Sequence, residues 1–304
     1  MNINLNTSIW NCMGGQRTLE WSRKVDTGKG TFHLYLYRED FSAVFPFMCR
    51  YTLLLIFENE ILGIFRTNSY EYSPTVPLDA ESSACKVAEE WERDLQDDPI
   101  SFLASLQERH PLPFGISPSD VLVIQGSPRS DGNCSILAGW VCDAATEAGK
   151  TVQVLFPDDM AIHPCIGCYR CFNTGTCTFE DDMTAIIGAI QHSSLLAVCS
   201  PVYTNTVPGM LKILIDRCQA YQASMALIGG IRGPEGLILG VCGRVGQENF
   251  GCLTPVLDVF MKNVGIRPSD HILVNGVDEV RDISTIPGLK TRVKKSVIRL
   301  LEKK

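Results

Sequence analysis

The chain has 304 residues, enough for two domains and a sizeable core. Its composition, 45% hydrophobic and 20% charged, is that of a folded globular protein and excludes a disordered chain. A formal net charge of −7 argues against nucleic acid as a partner, because phosphate binding draws on clustered Lys and Arg. The segment Met1–Asn6 lacks the basic and apolar regions of a signal peptide, and no apolar run reaches the roughly 18 residues of a membrane span. No membrane partner is expected. Thirteen cysteines in such a chain point to a reduced, cytoplasmic protein in which bound metal explains thiols better than disulfides do.

Up to about Gly115 the chain reads as an antiparallel piece followed by helices. Thr31–Glu39 alternates apolar and polar residues, which predicts a half-buried strand. Tyr51–Phe57 and Ile61–Phe65 flank Glu58–Glu60, which predicts a hairpin. Ser82–Gln96 puts Ala84, Val87, Ala88, Trp91 and Leu95 on one helical face. Pro99 interrupts that pattern, and Ile100–Glu108 predicts a second short helix. His110–Ser119 holds three prolines and a glycine, so the domain boundary is placed there, dividing 1–115 from 116–304.

From Asp120 strands and helices alternate. Strands are predicted at Val121–Gln125, Thr151–Phe156, Ser194–Cys199, Gly236–Val241 and Ile272–Val274. Helices are predicted at Asn133–Ala148, Met183–Gln191, Pro208–Tyr221, Gln247–Val264 and Leu289–Leu301. Five strands alternating with five helices predict an α/β fold, a doubly wound parallel sheet, preceded by a smaller α+β domain. Ligands of such sheets sit beyond the carboxyl ends of the strands, so the loops after the first, third and fourth strands carry the candidate site.

The first of these loops, Gly126–Ser135, has neither the Lys-Ser/Thr of a nucleotide P-loop nor a G-x-G-x-x-G. It offers the hydroxyls of Ser127, Ser130 and Ser135, the amide of Asn133, the charge of Arg129 and the N–H groups of a helix start at Asn133 and Cys134. Such a set suits a phosphate dianion, and the competing reading is an ordinary polar turn with an N-cap. The second loop, Ser200–Gly209, sets Tyr203 at a strand end, where it could lie against a planar heterocycle or cap the core. The backbone of Pro201, Val202, Tyr203, Thr204 and Asn205 would meet that ring's polar edge. Pro208 fits a first helical position. Lys212, Asp216 and Arg217 read as a solvated helical group. The third loop, Gly240–Gln247, uses Gly243 and Gly246 to let backbone approach a ligand, or is simply flexible. Together the loops predict a site for a phosphorylated flat ring.

Between the second strand and the second helix lie Cys165, Cys168, Cys171 and Cys177, spaced C-x2-C-x2-C-x5-C within one short loop. Bacterial ferredoxins use the same triple to turn thiolates inward on a [4Fe-4S] cluster. Structural zinc more often takes two C-x2-C knuckles with a longer insert, and an unmetallated or redox-active thiol loop is the remaining reading. Thr178–Asp181 has the capping-box pattern ahead of the helix at Met183. His163 reads as a surface histidine, with proton donation or spare ligation as alternatives. Asp158, Asp159, Glu180, Asp181 and Asp182 surround the loop with negative charge. The other cysteines, Cys134 and Cys252 among them, have no ligand spacing and default to small buried hydrophobes.

These residues resemble the flavodoxin-like NAD(P)H-dependent FMN reductases, and with the cysteine loop included the chain resembles the iron-sulfur flavoprotein family. The marks are Gly126–Arg129 with Gly132 and Asn133, the compact cysteine motif at 165–177, Asp181–Met183, and Ser200–Tyr203 with Lys212, Asp216 and Arg217. The likeness covers about 118–304. It implies that Ser127, Arg129, Asn133 and Ser135 hold the FMN phosphate. It also implies that Pro201–Asn205 and Gly243–Gln247 border the isoalloxazine and that Cys165, Cys168, Cys171 and Cys177 bind the cluster. A homodimer or homotetramer is implied as well, while residues 1–115 match nothing in that family.

The expected activity is that of an FMN-dependent oxidoreductase passing electrons between a [4Fe-4S] cluster, FMN and an external donor or acceptor such as ferredoxin or NAD(P)H. The protein's share is positioning and tuning, and no His/Asp/Ser or paired-carboxylate constellation is called for. A cluster-free NAD(P)H-dependent FMN or quinone reductase is one alternative, and a non-catalytic flavin-binding redox sensor or adaptor is another.

Overall fold

Two sheets of opposite character carry the chain in a computed structural model that describes residues 16–72, 77–107, 118–228 and 233–303. The predicted linker at 110–119 and Cys12 lie outside those residues, apart from Pro118 and Ser119. The molecule divides into two units, Met1–Pro111 with Ile166–Thr178 and Ala226–Gly229, and the remainder. The cysteine loop beyond Cys165 thus belongs to the first unit.

In the first unit, β1 (Gln16–Thr27), β2 (Gly30–Asp40), β3 (Cys49–Phe57) and β4 (Glu60–Asn68) form an antiparallel meander in chain order. The β3–β4 turn is a two-residue loop, with Glu58 and Asn59 both at positive φ as a twist-matched hairpin turn needs. The first strand was not expected from the sequence. It is an edge strand in which only Val25 is buried, so charged residues blur its alternation. One face of the sheet presents Phe32, Leu34, Leu36, Leu53 and Leu55 to α1 (Ala80–Asp97). That helix answers with Ala84, Ala88, Trp91 and Leu95, and Asp79 caps it by accepting the Ser82 N–H at 2.7 Å. Pro99 opens α2 (Pro99–Gln107) at its first position, where a missing N–H costs nothing, and Asp98 accepts the amides of Ile100 and Ser101.

In the second unit, β5 (Val121–Gln125), β6 (Val152–Leu155), β7 (Leu195–Pro201), β8 (Glu235–Val241) and β9 (Arg267–Val274) make a parallel sheet in the order β6-β5-β7-β8-β9. This is the flavodoxin-like arrangement. Strands β5, β7 and β8 are buried along their whole length, which is why they read as continuous apolar runs. Their side chains alternate between two cores. Leu122, Ile124, Leu196, Val198 and Ile238 pack under α5 (Met183–His192), α6 (Gly209–Arg217) and α8 (Leu253–Asn263). Val121, Val123, Leu195, Ala197 and Leu237 pack under α3 (Asn133–Glu147) and α10 (Leu289–Leu301). Single helical turns at α4 (Cys171–Thr174), in the first unit, and α9 (Val277–Val280) complete the described helices.

Three expectations change. The helix at Pro208–Tyr221 divides into α6 and α7 (Gln219–Ile228), and Pro208 is the cap of α6, not its first residue. Gln247–Val264 divides into a short 3-10 turn at Gln247–Phe250 and α8. The last strand begins at Arg267, five residues early, because an edge strand tolerates Ser269, Asp270 and His271. Among the described residues no helix is long and apolar enough to cross a membrane.

Leu196, fully buried in β7, and Leu19, 48% exposed in β1, make a paired test of this core. Leu196→Ala should destabilise by about 2–5 kcal/mol in chemical denaturation. Leu19→Ala should stay within about 0.5 kcal/mol of wild type.

Candidate functional site

Parallel pairing brings the carboxyl ends of β5, β7 and β8 to one edge of the sheet. The chain leaves β5 toward β6 on one side and returns across it to β7 on the other, so the strand order reverses between β5 and β7. A crevice opens at such a point. The β5–β7 ladder runs to Gln125 opposite Cys199, and the Gly126 N–H extends it to the Cys199 carbonyl at 2.8 Å. A Cβ at Gly126 would come 2.5 Å from Leu211 Cδ2 and 3.2 Å from Leu211 Cβ, so the glycine lets α6 pack close over the strand end.

Gln125, not anticipated as a site residue, organises the loop that follows. Its buried side chain accepts the Ser127 N–H at 2.5 Å and donates to the Arg129 carbonyl at 3.1 Å and to Ser135 Oγ at 2.8 Å. Ser127 Oγ in turn accepts the Arg129 N–H at 3.2 Å. The available signal was a glutamine closing a wholly apolar strand. Arg129 and Ser130 are exposed, and Ser127 is buried. At the start of α3 the amides of Asn133 and Cys134 have no carbonyl one turn earlier within the helix to bond. The Asn133 side chain donates to the Arg281 carbonyl at 3.0 Å and accepts the Ile283 N–H at 3.2 Å, which ties α3 to the chain ahead of α10. The Cys134 thiol is a core group that burial pushes up to about 12.

After β7, the Val202 N–H bonds the Val241 carbonyl at 2.8 Å. Tyr203 and Thr206 then pair through N–H···O bonds of 2.8 and 3.0 Å. Between them Thr204 and Asn205 both have positive φ, 44° and 66°, making a two-residue hairpin turn. A β-branched residue in that region is strained by about 1–3 kcal/mol. Tyr203 is 38% exposed, so it does not cap the core. After β8, Gly246 has φ 116°, a value that only glycine adopts readily, and its N–H donates to Asn275 Oδ1 at 3.1 Å. Gly243 lies against Asp278, whose carboxylate would be 2.2 Å from any Cβ there. The predicted residues 127–135, 201–205 and 243–246 therefore share one sheet edge.

The cysteine loop has a closed neck in the second unit. Ala161 and Asp182 exchange hydrogen bonds, the Ala161 N–H to Asp182 Oδ2 at 2.8 Å and the Asp182 N–H to the Ala161 carbonyl at 3.2 Å. Beside them Arg217 forks onto Asp181 at 2.5 and 2.9 Å and onto the His163 carbonyl at 2.6 Å. Asp181 also accepts the amides of His163 and Met183. Two expectations are corrected here. Arg217 is 1% exposed and not part of a solvated group, although Lys212 and Asp216 do form an exposed pair at 2.6 Å. The capping box at Thr178–Asp181 does not form, because the cap of α5 is Asp182 and the Asp181 carboxylate serves the buried pair. Burial raises the Asp181 pKa, but the Arg217 and amide hydrogen bonds outweigh it and hold the carboxyl below the usual range. The His163 ring is exposed and stacks on Phe179 at 5.1 Å.

Beyond the neck, Cys165 is exposed and Cys168, Cys171 and Cys177 are half-buried, and none of the four is in a disulfide. Gly167, Tyr169 and Gly175 have positive φ, so the backbone curls between the cysteines. The donor set suits thiolate-bound iron in its chemistry. Among the described residues no three His, Cys, Asp or Glu side chains come together closely enough to hold a metal ion.

Within the first unit this loop rests on the face of the sheet opposite α1. Period-two alternation puts Glu39, Arg50, Thr52, Arg66 and Asn68 on that face, with Arg50 opposite Glu39 and Asn68. Arg50, 2% exposed, donates to Glu39 at 2.7 Å and to the carbonyls of Phe172 at 3.2 Å and Asn173 at 3.4 Å. Arg66 also donates to the Asn173 carbonyl, at 3.4 Å. Asn68 donates to the Tyr169 carbonyl at 3.3 Å and to Asn173 Oδ1 at 2.7 Å. Phe172 packs edge-on against Phe45.

The family model for NADPH-dependent FMN reductase matches residues 119–241, which span β5 to β8. An iron-sulfur flavoprotein of Archaeoglobus fulgidus is 30% identical over 154 residues, 51% of this chain and 67% of that one. The chain belongs to the iron-sulfur flavoprotein family. Another member, from Methanocaldococcus jannaschii, is 31% identical over 128 residues, covering 42% of this chain and 65% of that one, just under two thirds of its length. An FMN-dependent NADH-azoreductase of Bacillus anthracis solved with FMN overlays 60% of this chain and 99% of its own, at 12% identity and a TM-score of 0.46.

Asp181→Asn should cost about 3–5 kcal/mol at neutral pH, because it strands a buried guanidinium. The sign of the pH effect follows from the lowered Asp181 pKa. In the wild type the pair's contribution is complete above the unfolded value of about 3.9 and fades only as pH falls through the lower folded value. Denaturation midpoints at pH 7, 5 and 3 should therefore show the variant's deficit constant from 7 to 5 and shrinking toward 3. Relief of the strained turn by Thr204→Gly should raise stability by about 1 kcal/mol, read from the same denaturation curves.

Proposed function

We propose that the protein is an FMN-dependent oxidoreductase that passes electrons between a [4Fe-4S] cluster, FMN and an external donor or acceptor. The observation that carries this reading is the edge of the parallel sheet at its switch point, where a hydroxyl-rich loop, a helix start and two close-approach loops converge. Membership of the iron-sulfur flavoprotein family supports it.

The phosphate end of FMN would take the N–H groups of Asn133 and Cys134, the hydroxyls of Ser127 and Ser130, and the Arg129 guanidinium. Ser135 Oγ already accepts from Gln125, and the Asn133 side chain is held by Arg281 and Ile283. Those two contribute to the loop's shape first. The ring would lie against Tyr203, with Pro201–Asn205 on one side and Gly243–Gly246 on the other. The turn at Thr204 and Asn205 and the glycine backbone at Gly246 would shape these walls. Cys165, Cys168, Cys171 and Cys177 would ligate the cluster. A flavin accepts electrons singly or in pairs and an iron-sulfur cluster singly, which is the chemistry these groups supply when bound. The external donor would be a one-electron carrier such as ferredoxin, or NAD(P)H, acting on a homodimer or homotetramer in the cytoplasm.

Anaerobic purification followed by iron, sulfide and flavin quantitation tests the reading. About one FMN and about four irons per chain are expected. Cys168→Ser should abolish the iron and the ferredoxin-linked activity and leave the FMN. A colourless protein that takes up no FMN at micromolar concentration would overturn the proposal. Bound flavin without iron, with NAD(P)H oxidation surviving Cys168→Ser, would replace it with a cluster-free reductase.

A further inference from the structure

We infer that the N-terminal sheet is a scaffold for the cysteine loop, and that Arg50, Arg66 and Asn68 are positioning residues for Cys168 and Cys171. The inference rests on the cluster reading above and gives residues 16–72 a role in it.

A sheet face that buries Glu39, Arg50, Thr52 and Asn68 is costly unless each polar group finds a partner. Glu39 accepts from Arg50 and from Thr52 Oγ1, which settles the acid. Arg50 Nη1, Arg66 Nη1 and Asn68 Nδ2 each donate to main-chain oxygens of the loop, those of Tyr169, Phe172 and Asn173. The Tyr169 carbonyl directly follows Cys168, and those of Phe172 and Asn173 lie within the helical turn that begins at Cys171. The loop answers with a buried polar side chain: Asn173, 2% exposed, bonds Asn68 and Glu71. Tyr169 holds a left-handed conformation, φ 58°, and its carbonyl accepts both the Phe172 N–H and Asn68. The sheet thereby holds the backbone that carries Cys168 and Cys171, two of the proposed ligands. Neither Arg50, Arg66 nor Asn68 is a ligand. They act through the loop, as outer partners of a metal site do, and loss of such a partner typically lowers metal affinity about 10–100-fold.

Two variants of the full-length protein test this. Arg50→Lys keeps a charge for Glu39 but cannot reach Glu39 and two carbonyls at once, and Asn173→Ala removes the loop's own grip. After anaerobic reconstitution, both should lose iron to a chelator about tenfold faster than wild type while FMN content is unchanged. In metal-free protein, Cys168 and Cys171 should be alkylated about tenfold faster, with the exposed Cys252 unchanged as internal reference. A general loss of structure would accelerate the buried Cys134 and Cys218 too. Should Arg50→Lys fail to fold, Arg66→Gln, whose side chain is half-buried, takes its place. Wild-type protein that binds iron, with variants matching it in chelation and alkylation, overturns the scaffold alone. Wild-type protein that takes up no iron overturns the cluster reading and the scaffold with it.

Discussion

The register between β5 and β7 governs everything at the carboxyl edge of the parallel sheet. Because both strands are buried on both faces, helices must cover both, and the crossovers from β5 run in opposite directions. The crevice between them is a consequence of that winding and needs no dedicated residue. What the sequence adds is local: a glycine so that α6 can close over the end of β5, and a glutamine whose one side chain satisfies a backbone donor, a backbone acceptor and a hydroxyl in the next loop. A buried Gln125 without those three partners would be a liability. With them it fixes the loop's shape.

The cysteine loop is held by the same physical device twice. Arg217 places one planar guanidinium between a carboxylate, Asp181, and a carbonyl, His163. Arg50 does so between Glu39 and the carbonyls of Phe172 and Asn173. The carboxylate neutralises the buried charge, and the fork leaves further N–H groups to hold main chain. A lysine would meet the first need and fail the second. This explains why a loop rich in exposed and half-buried thiols is nonetheless tied at its neck and along its middle. Gly167 and Gly175 supply the turns between those ties.

The parts visible in the sequence are those written in short-range periodicity. The apolar runs at Val121–Gln125 and Gly236–Val241, the helical face of Ala84, Ala88, Trp91 and Leu95, and the glycines at 126, 243 and 246 could be placed because each signal repeats within a few residues. Two of the edge strands were less legible. Gln16–Thr27 and the start of Arg267–Val274 bury little, so nothing obliges their residues to alternate. The long-range arginine contacts were invisible for a different reason. Arg217 meets Asp181 across 36 positions, and Arg50 meets Phe172 across 122, and no spacing rule connects them. Asp181 therefore looked like a helix cap and Arg217 like a solvated residue, each plausible from its neighbours alone.

That long reach has a consequence for how the loop acquires its shape. Hairpins β1–β2 and β3–β4 and helix α1 are built from contacts close in sequence, and the polar face of the sheet exists as soon as they pair. Closing residues 169–173 onto Arg50 and Asn68 spans more than 100 positions, an entropic cost that is met only after both ends are ordered. Until then Arg50 and Glu39 have each other and water, which is tolerable at a surface and not in a core. The polar face is thus soluble while it waits and satisfied once the loop arrives. A hydrophobic face could have gripped the loop as firmly, but it would have been exposed and adhesive for the whole interval.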